Sequence, residues 1–249
     1  MGFTLVAYNE SQDTAGNLTL HAALADQHIT VDGDDILVPG FASNILAVYG
    51  VGLNLTRMQI SSPSLRKKNL LDISPVDQSA EPEEPSAVHF FNENPVVLTS
   101  AEALQVLMAE DGAGAQRSIA ALWLMDTLDA KPSGEIRSIR ATTTTATTAN
   151  LWSLVTLTLD QQLEAGRYAI VGFRAVSATG ILARLVIPGS AMRPGVIAYD
   201  AVNDTENVMF RMGKLGSWGE FEHTFIPQVE MLTTTGETPD EFILDVILL

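Results

Sequence analysis

The stretch TTTTATTANLWSLVTLTLDQQLEAGRYAIVGFRA, Thr142 to Ala175, decides the fold class. From Leu151 to Leu159 the odd positions (Leu151, Ser153, Val155, Leu157, Leu159) fall on one face of an extended chain. Trp152, Leu154, Thr156 and Thr158 fall on the other. The period is two, that of a strand, and not the 3.6 of a helix. After the corner DQQLEAG, where Gly166 can take the positive φ of a tight reversal, RYAIVGFRA alternates again. The pattern predicts an antiparallel hairpin.

Outward from this stretch the same period recurs. FTLVAY, LTLHAAL, HITV, DILVPG, NILAVYGVGLNLTRMQI, NPVVLT, RSIAALWLMD, EIRSIRATTT, GILARLVIPG, GVIAYDA, NVMFRMG, QVEMLTTT and EFILDVILL all read as strands, with Gly, Pro, Asn and Asp in nearly every gap. Many short strands with intervening turns predict a mainly β protein, an antiparallel β-sandwich with long loops and little helix. SAEALQVLMAEDGAG fits two readings. It is a helix capped by Ser100 and stopped by Gly112, or a strand in which Leu104, Val106 and Met108 alternate.

Two segments read as irregular. Residues 62–88 hold four prolines and a knot of acids, and form either an excursion between strands or a hinge between halves. The second begins at Gly189 and continues into MGKLGSWGEFEHTFIPQ, where glycines 213, 216 and 219 surround Trp218. The expected organisation is therefore one sandwich over residues 1–249 with an excursion at 62–88, the alternative being a subdivision into 1–88 and 89–249. No internal repeat of fixed period is visible. In the last strand Phe242, Leu244, Val246 and Leu248 oppose Ile243, Ile247 and Leu249, with Asp245 the only interruption. Both faces want burial, so this segment closes the core or lies in a subunit interface.

Composition excludes several functions. With 46% hydrophobic and 18% charged residues over 249 positions, the chain can bury a sizeable core and lies far from the disordered regime. The net charge of −16 is uneven, since no Lys or Arg occurs before Arg57, between Lys68 and Arg117, or after Lys214. Binding to phosphates or anionic lipid needs clustered cations, and Arg66, Lys67 and Lys68 are the one run of them, so nucleic-acid and membrane-surface partners are not expected. There is no cysteine, which removes disulfides, thiolate metal sites and thiol nucleophiles. The opening MGFTLVAYNESQ lacks the features of a signal peptide, and no apolar run is long enough to span a bilayer as a helix.

No catalytic signature emerges, and neither an enzymatic activity nor a cofactor is expected. Asp32, Asp34 and Asp35 in DGDD could offer oxygens to calcium, but an Asp/Gly turn between two short strands explains the same letters better. In EFEH, Glu220 and Glu222 share a strand face that His223 opposes, which favours a solvated loop or an interface over a metal site. LGSWG is not a nucleophile elbow, because Ser217 directly follows Gly216 and the strand, turn, helix context is missing. Trp123 and Trp152 lie in apolar runs and read as core anchors.

WSLVTLTLDQQLEAGRYAIVGFRAVSATGILARLVIPG, followed by RPGVIAYDA, FRMGKLGSWGEFEH and a terminal strand, resembles the second half of jelly-roll major capsid proteins from tailless icosahedral viruses of bacteria and archaea. DDILVPG, ILAVYGVGLNLTRMQISSPSLR and RSIAALWLMD look like further strands of such a subunit. The resemblance implies a jelly-roll sandwich and a non-catalytic coat subunit that assembles with copies of itself, and with other shell proteins, into an icosahedral virion built in the host cytoplasm. It departs from the coats of small RNA viruses in having no arginine-rich amino-terminal arm, so the shell is expected not to touch the genome directly. On this reading Trp218, Phe221 and Phe225 are the first candidates for subunit contacts, with Phe242 and Leu244 of the terminal strand second, and Trp218→Ala is expected to weaken assembly while leaving a folded monomer. The alternative is a carbohydrate-binding, lectin-like sandwich whose exposed rings would stack on sugars.

Overall fold

The computed structural model describes residues 2–11, 20–22, 24–25, 31–32, 35–52, 54–68, 71–73, 76–77, 88–91, 93–111, 117–200 and 206–249. Parts of the LTLHAAL and HITV candidates and much of the 62–88 excursion lie outside them. The protein is mainly β, with antiparallel sheets arranged as sandwiches. It divides into two compact units, Val6–Asp126 and Met1–Leu5 with Thr127–Leu249. This differs both from a single sandwich over 1–249 and from a division at residue 88. The reason lies in the pairing. Strands on either side of residue 88 are sheet neighbours, Asn44–Gly52 with Arg117–Met125 and Leu55–Ser61 with Ala103–Glu110, so a boundary there would cut two sheets.

In the unit 6–126 one sheet runs His89–Phe90, Asn44–Gly52, Arg117–Met125, Phe3–Ser11, Leu24–Ala25. The other runs Val31–Asp32, Asp35–Leu37, Ala103–Glu110, Leu55–Ser61, Leu71–Ile73. Their alternate residues meet in a common core, with Val6, Val48 and Leu122 from the first and Ile36, Met58, Leu104, Val106 and Met108 from the second. This settles 103–110 as a strand: Leu104, Val106 and Met108 are fully buried, and a helix there would turn one of them out of the core. The Tyr8 hydroxyl donates to the Leu104 carbonyl at 2.6 Å, which satisfies a buried polar group between the sheets.

Inside the stretch read as irregular, Pro63–Lys68 is a short α-helix. Ser62 caps it by accepting from the Leu65 amide at 3.2 Å, Pro63 supplies the fixed φ of the first position, and the Glu102 carboxylate accepts the Ser64 amide at 2.9 Å. Leu71–Ile73 and Val76–Asp77 then pair with Leu55–Ser61 and Asn44–Gly52. Asn54, at φ 56°, separates the last two of these strands within what reads as one long run.

In the unit 127–249 one sheet runs Thr158–Leu159, Arg137–Thr142, Glu241–Leu248, Arg167–Val176, Gly219–Glu222. The second runs Ser153–Val155, Gln228–Thr233, Gly180–Val186, Gly195–Ile197. The alternation expected for 151–159 is present from 154 to 158, with Val155 and Leu157 buried and Leu154, Thr156 and Thr158 exposed, while Leu151, expected on the buried face, is exposed. The predicted hairpin is not present. Ser153–Val155 pairs with Gln228–Thr233, while Arg167–Val176 pairs with Gly219–Glu222 and Glu241–Leu248 in the other sheet. The chain steps from one sheet to the other between Val155 and Thr158, and the corner at 160–166 joins Thr158–Leu159 to Arg167–Val176, which lie in the same sheet without pairing with each other. Gly166 does take the expected positive φ, 153°. NVMFRMG, read as a strand, holds the 3-10 turn Val208–Phe210, capped by the Asn207 side chain.

Both units share one pairing scheme. Among the eight principal strands of 127–249, the first (Arg137–Thr142) pairs with the eighth (Glu241–Leu248) and the second (Ser153–Val155) with the seventh (Gln228–Thr233). The third (Arg167–Val176) pairs with the sixth (Gly219–Glu222) and the fourth (Gly180–Val186) with the fifth (Gly195–Ile197). In 6–126 the corresponding pairs are Phe3–Ser11 with Arg117–Met125, Asp35–Leu37 with Ala103–Glu110, Asn44–Gly52 with His89–Phe90, and Leu55–Ser61 with Leu71–Ile73. Each unit is a long hairpin rolled up, its pairs nested one inside the next.

Candidate interaction surface

The terminal strand is apolar on both faces except at Asp245, which is fully buried. Opposite it the ladder to Arg167–Val176 slips by one residue between Ile170 and Gly172, which places Gly172 against Asp245. A Cβ on Gly172 would stand 2.4 Å from Asp245 Oδ2 and 3.0 Å from Arg211 Cα and the Met212 nitrogen. Gly172 is therefore the gap through which the 206–216 loop reaches the sheet. Asp245 accepts from Arg211 Nε at 2.7 Å and Nη2 at 3.0 Å, from Ser138 Oγ at 2.6 Å, and from the Met212 amide at 2.9 Å. Arg211 Nη1 donates to Glu206. Burial pushes the Asp245 carboxyl up, but the hydrogen bonds from Arg211, Ser138 and Met212 outweigh it and hold the carboxyl below the usual carboxylate range. The hydrogen bond to Asp245 likewise raises the Arg211 guanidinium above its ordinary value.

This ion pair pins the loop. Phe210, Leu215 and Trp218 are buried beneath it, and the Gly213 amide donates to the Val171 carbonyl at 2.6 Å. Met212 is held at φ 53°, a conformation a side-chain-bearing residue adopts only when its surroundings impose it. The outward product is a fixed apolar knob in which Val208 is 61% and Met212 49% exposed, with Lys214 exposed beside them.

A second feature lies at the 157–163 corner. Leu157, Leu159, Leu163 and Ile226 line an open groove of about 570 Å³ whose polar groups include Asp160 and His223. His223 Nδ1 accepts the Gly166 amide at 3.2 Å while its own amide donates to the Gly166 carbonyl at 3.0 Å, so the ring proton sits on Nε2. Phe225 stands beside the groove on a turn closed by its amide to the Glu222 carbonyl at 2.8 Å.

A third feature is internal. Arg184, fully buried, donates from Nε to Glu230 Oε2 at 2.7 Å and from Nη1 to the Leu5 carbonyl at 3.3 Å, and its guanidinium carbon lies 3.9 Å from the centre of the Trp152 ring. Arg184 and Glu230 face each other directly across adjacent strands. The sheet thus holds a buried cation by pairing it and roofing it with an aromatic face.

The sequence-derived contact residues divide sharply. Trp218, Phe221, Phe242 and Leu244 are all buried within their own unit, with Trp218 edge-on to Phe3 at 4.9 Å and Phe221 stacked on Tyr168 at 5.6 Å. They build the core and have no surface to offer a neighbour, which corrects their assignment as contact residues and, with it, the expectation that Trp218→Ala spares the monomer. The terminal strand closes the core from the middle of its sheet. Phe225, 66% exposed, is the one of the five on the surface, and the one ring of that group left to stack on a sugar.

Asp32 and Asp35 are register partners where Val31–Asp32 pairs with Asp35–Leu37, while Asp34 and the Asp32 side chain lie outside the described residues. Among the described residues no group of three or more His, Asp or Glu is placed to hold a metal ion. Glu220 is tied to Arg167 at 3.1 Å, and His223 turns to Gly166, so EFEH does not converge. Trp123 is buried as expected, and Trp152 serves as the roof over Arg184. The Arg211–Asp245 pin and the knob it carries were not anticipated; the one signal was the lone charge at Asp245 in an otherwise apolar strand. No helix among the described residues is long and apolar enough to cross a membrane. Compared with protein-family models, with curated proteins and with solved structures, the chain matches none.

Proposed function

We propose that this chain is a non-catalytic shell subunit, a capsid protein with two jelly rolls in tandem that assembles with copies of itself into a closed virion coat. The observation that carries the reading is the nested pairing of first with eighth, second with seventh, third with sixth and fourth with fifth strand in both units. A hairpin rolled in this way is the jelly roll, an architecture shared by viral coats, lectins and cupins. Each such unit is a stiff scaffold whose strands are spent on the core and whose loops are free to make contacts.

The charge distribution supports a shell whose contacts are protein to protein. The unit 6–126 carries 16 acids against 5 bases and the rest of the chain 14 against 9, so neither offers the cationic surface that genome binding requires. Like-charged copies repel at long range, and salt screens that repulsion over about 8–10 Å at moderate ionic strength. Assembly is therefore expected to strengthen with salt. Sedimentation velocity and negative-stain microscopy of the purified protein across a salt series test this: large regular particles are expected at high salt, and a monomer at every salt and protein concentration would overturn the reading.

A further inference from the structure

The unit 127–249 neutralises nearly all of its cations internally. Arg137, Arg140, Arg167, Arg174, Arg184 and Arg211 each pair with a carboxylate, and Arg193 donates to the Ser190 and Met192 carbonyls. Lys131 and Lys214 are exposed, and among the described residues neither has a carboxylate partner. They belong to the same place, because the stem of Lys131 lies over Gly213, where a Cβ would stand 2.1 Å from its Cδ. The pinned knob is thus an apolar tip, Val208 and Met212, flanked by two uncompensated positive charges on a chain of net charge −16.

The groove at 157–163 is its complement. Its floor is aliphatic, and Asp160 on its wall is exposed without a cation partner among the described residues. Knob and groove are too far apart to meet within one copy. The loop joins the Arg167–Val176 strand at Val171 and the groove turn joins its chain at Gly166, five residues away, or about 17 Å along a strand.

Resting on the self-assembly reading, we propose that the Val208/Met212 knob of one copy seats in the Leu157/Leu163/Ile226 groove of the next, with Lys214 set against Asp160. The partner is a second copy of this chain, since apolar tip meets apolar floor and the unpaired cations of one surface meet the unpaired carboxylate of the other. The two surfaces are different patches, so the contact is head-to-tail and generates a ring when its rotation closes.

A charge swap tests the contact. Lys214→Glu and Asp160→Lys are each expected to raise the protein concentration at half-assembly by about tenfold or more, and the double variant to recover most of that loss. Circular dichroism melting checks that all three remain folded. The absence of native cysteine permits a second test that does not depend on charge. Mixing Met212→Cys protein with Leu163→Cys protein under oxidising conditions is expected to give a disulfide-linked dimer at high yield, with little from either protein alone. Wild-type assembly that persists unchanged in both single variants, or a mixture that yields no cross-link, would overturn the contact and leave the self-assembly reading standing. Singles that fail to assemble without rescue in the double would overturn the Lys214 to Asp160 pairing. A wild-type chain that never assembles would remove the reading on which the contact rests.

Discussion

Replacing Asp245 with Asn tests the central pin. The change keeps size and shape but turns one carboxylate oxygen into an NH2 group aimed at donors, so at most part of the set formed by Arg211 Nε and Nη2, Ser138 Oγ and the Met212 amide can still be satisfied. Removing one partner of a buried ion pair costs about 3–5 kcal/mol. Arg211 is 12% exposed and keeps Glu206, which places the expected loss near the lower end, about 3 kcal/mol. For a cooperative unit of this size that corresponds to a fall in Tm of roughly 10 °C.

The pH dependence has a fixed sign. Asp245 is held below its unfolded value of about 3.9, so its contribution is complete above about pH 4 and disappears as pH falls through the still lower folded value. With 30 acids in the chain the whole protein weakens in acid, and only the difference between wild type and variant isolates this group. Urea unfolding followed by circular dichroism should show a gap of about 3 kcal/mol at pH 7 that narrows below pH 4. The double variant Arg211→Met/Asp245→Leu should lose less than the two single changes summed, because it leaves no buried charge behind. A gap under about 1 kcal/mol at pH 7, or one that holds constant down to pH 3, would refute the reasoning.

Trp218→Ala should destabilise by about 3–5 kcal/mol, since the ring is 2% exposed against Phe3 and Phe210; an unchanged urea midpoint would return Trp218 to the surface. Gly172→Ala should cost about 1–3 kcal/mol in the same assay, because its Cβ would crowd Asp245 and the Arg211 backbone; full stability would mean that the loop does not pass through this gap. Arg184→Met with Glu230 left in place should lose about 3–5 kcal/mol and recover part of it when Glu230 is also made Leu, and equal losses in the two variants would argue against a coupled pair. Phe225→Ser should leave stability within about 0.5 kcal/mol, a result that thermal melting checks directly.

The sequence announces strands well and their partners poorly. Period-two alternation marks 153–159 because one property, burial, varies along the segment and needs no knowledge of the rest of the chain. Which strand lies beside which depends on residues far apart, as Ile139 opposite Leu244 illustrates, and no local pattern carries that information. The hairpin expected at 151–175 fails for this reason: the alternation runs on through 156–157, where the chain changes sheet, and nothing local marks the step. The helix at Pro63–Lys68 was legible in principle, since a capping Ser before Pro is a known start signal, but the surrounding prolines hid it. The ring-bearing loop misled in another way. Large rings among glycines mark close packing, and in Trp218 and Phe221 that packing faces inward.

On the proposed self-assembly reading, the nested pairing also limits where contacts between copies would form. In the unit 127–249 the inner strands are long, from six residues in Arg137–Thr142 to ten in Arg167–Val176. The edge strands Thr158–Leu159, Ser153–Val155, Gly195–Ile197 and Gly219–Glu222 have only two to four. Short edges offer few free backbone groups, which suppresses uncontrolled strand addition. On that reading, short edges in this unit disfavour association by sheet extension, and specificity comes from side chains on the connections between strands. Those connections need rigidity of their own to hold a fixed angle between copies. The four hydrogen bonds onto Asp245 supply it to the loop that carries Val208 and Met212, and the two hydrogen bonds between His223 and Gly166 supply it to the groove. Loosening the pin with Asp245→Asn should therefore weaken assembly even at temperatures where the sandwich stays folded.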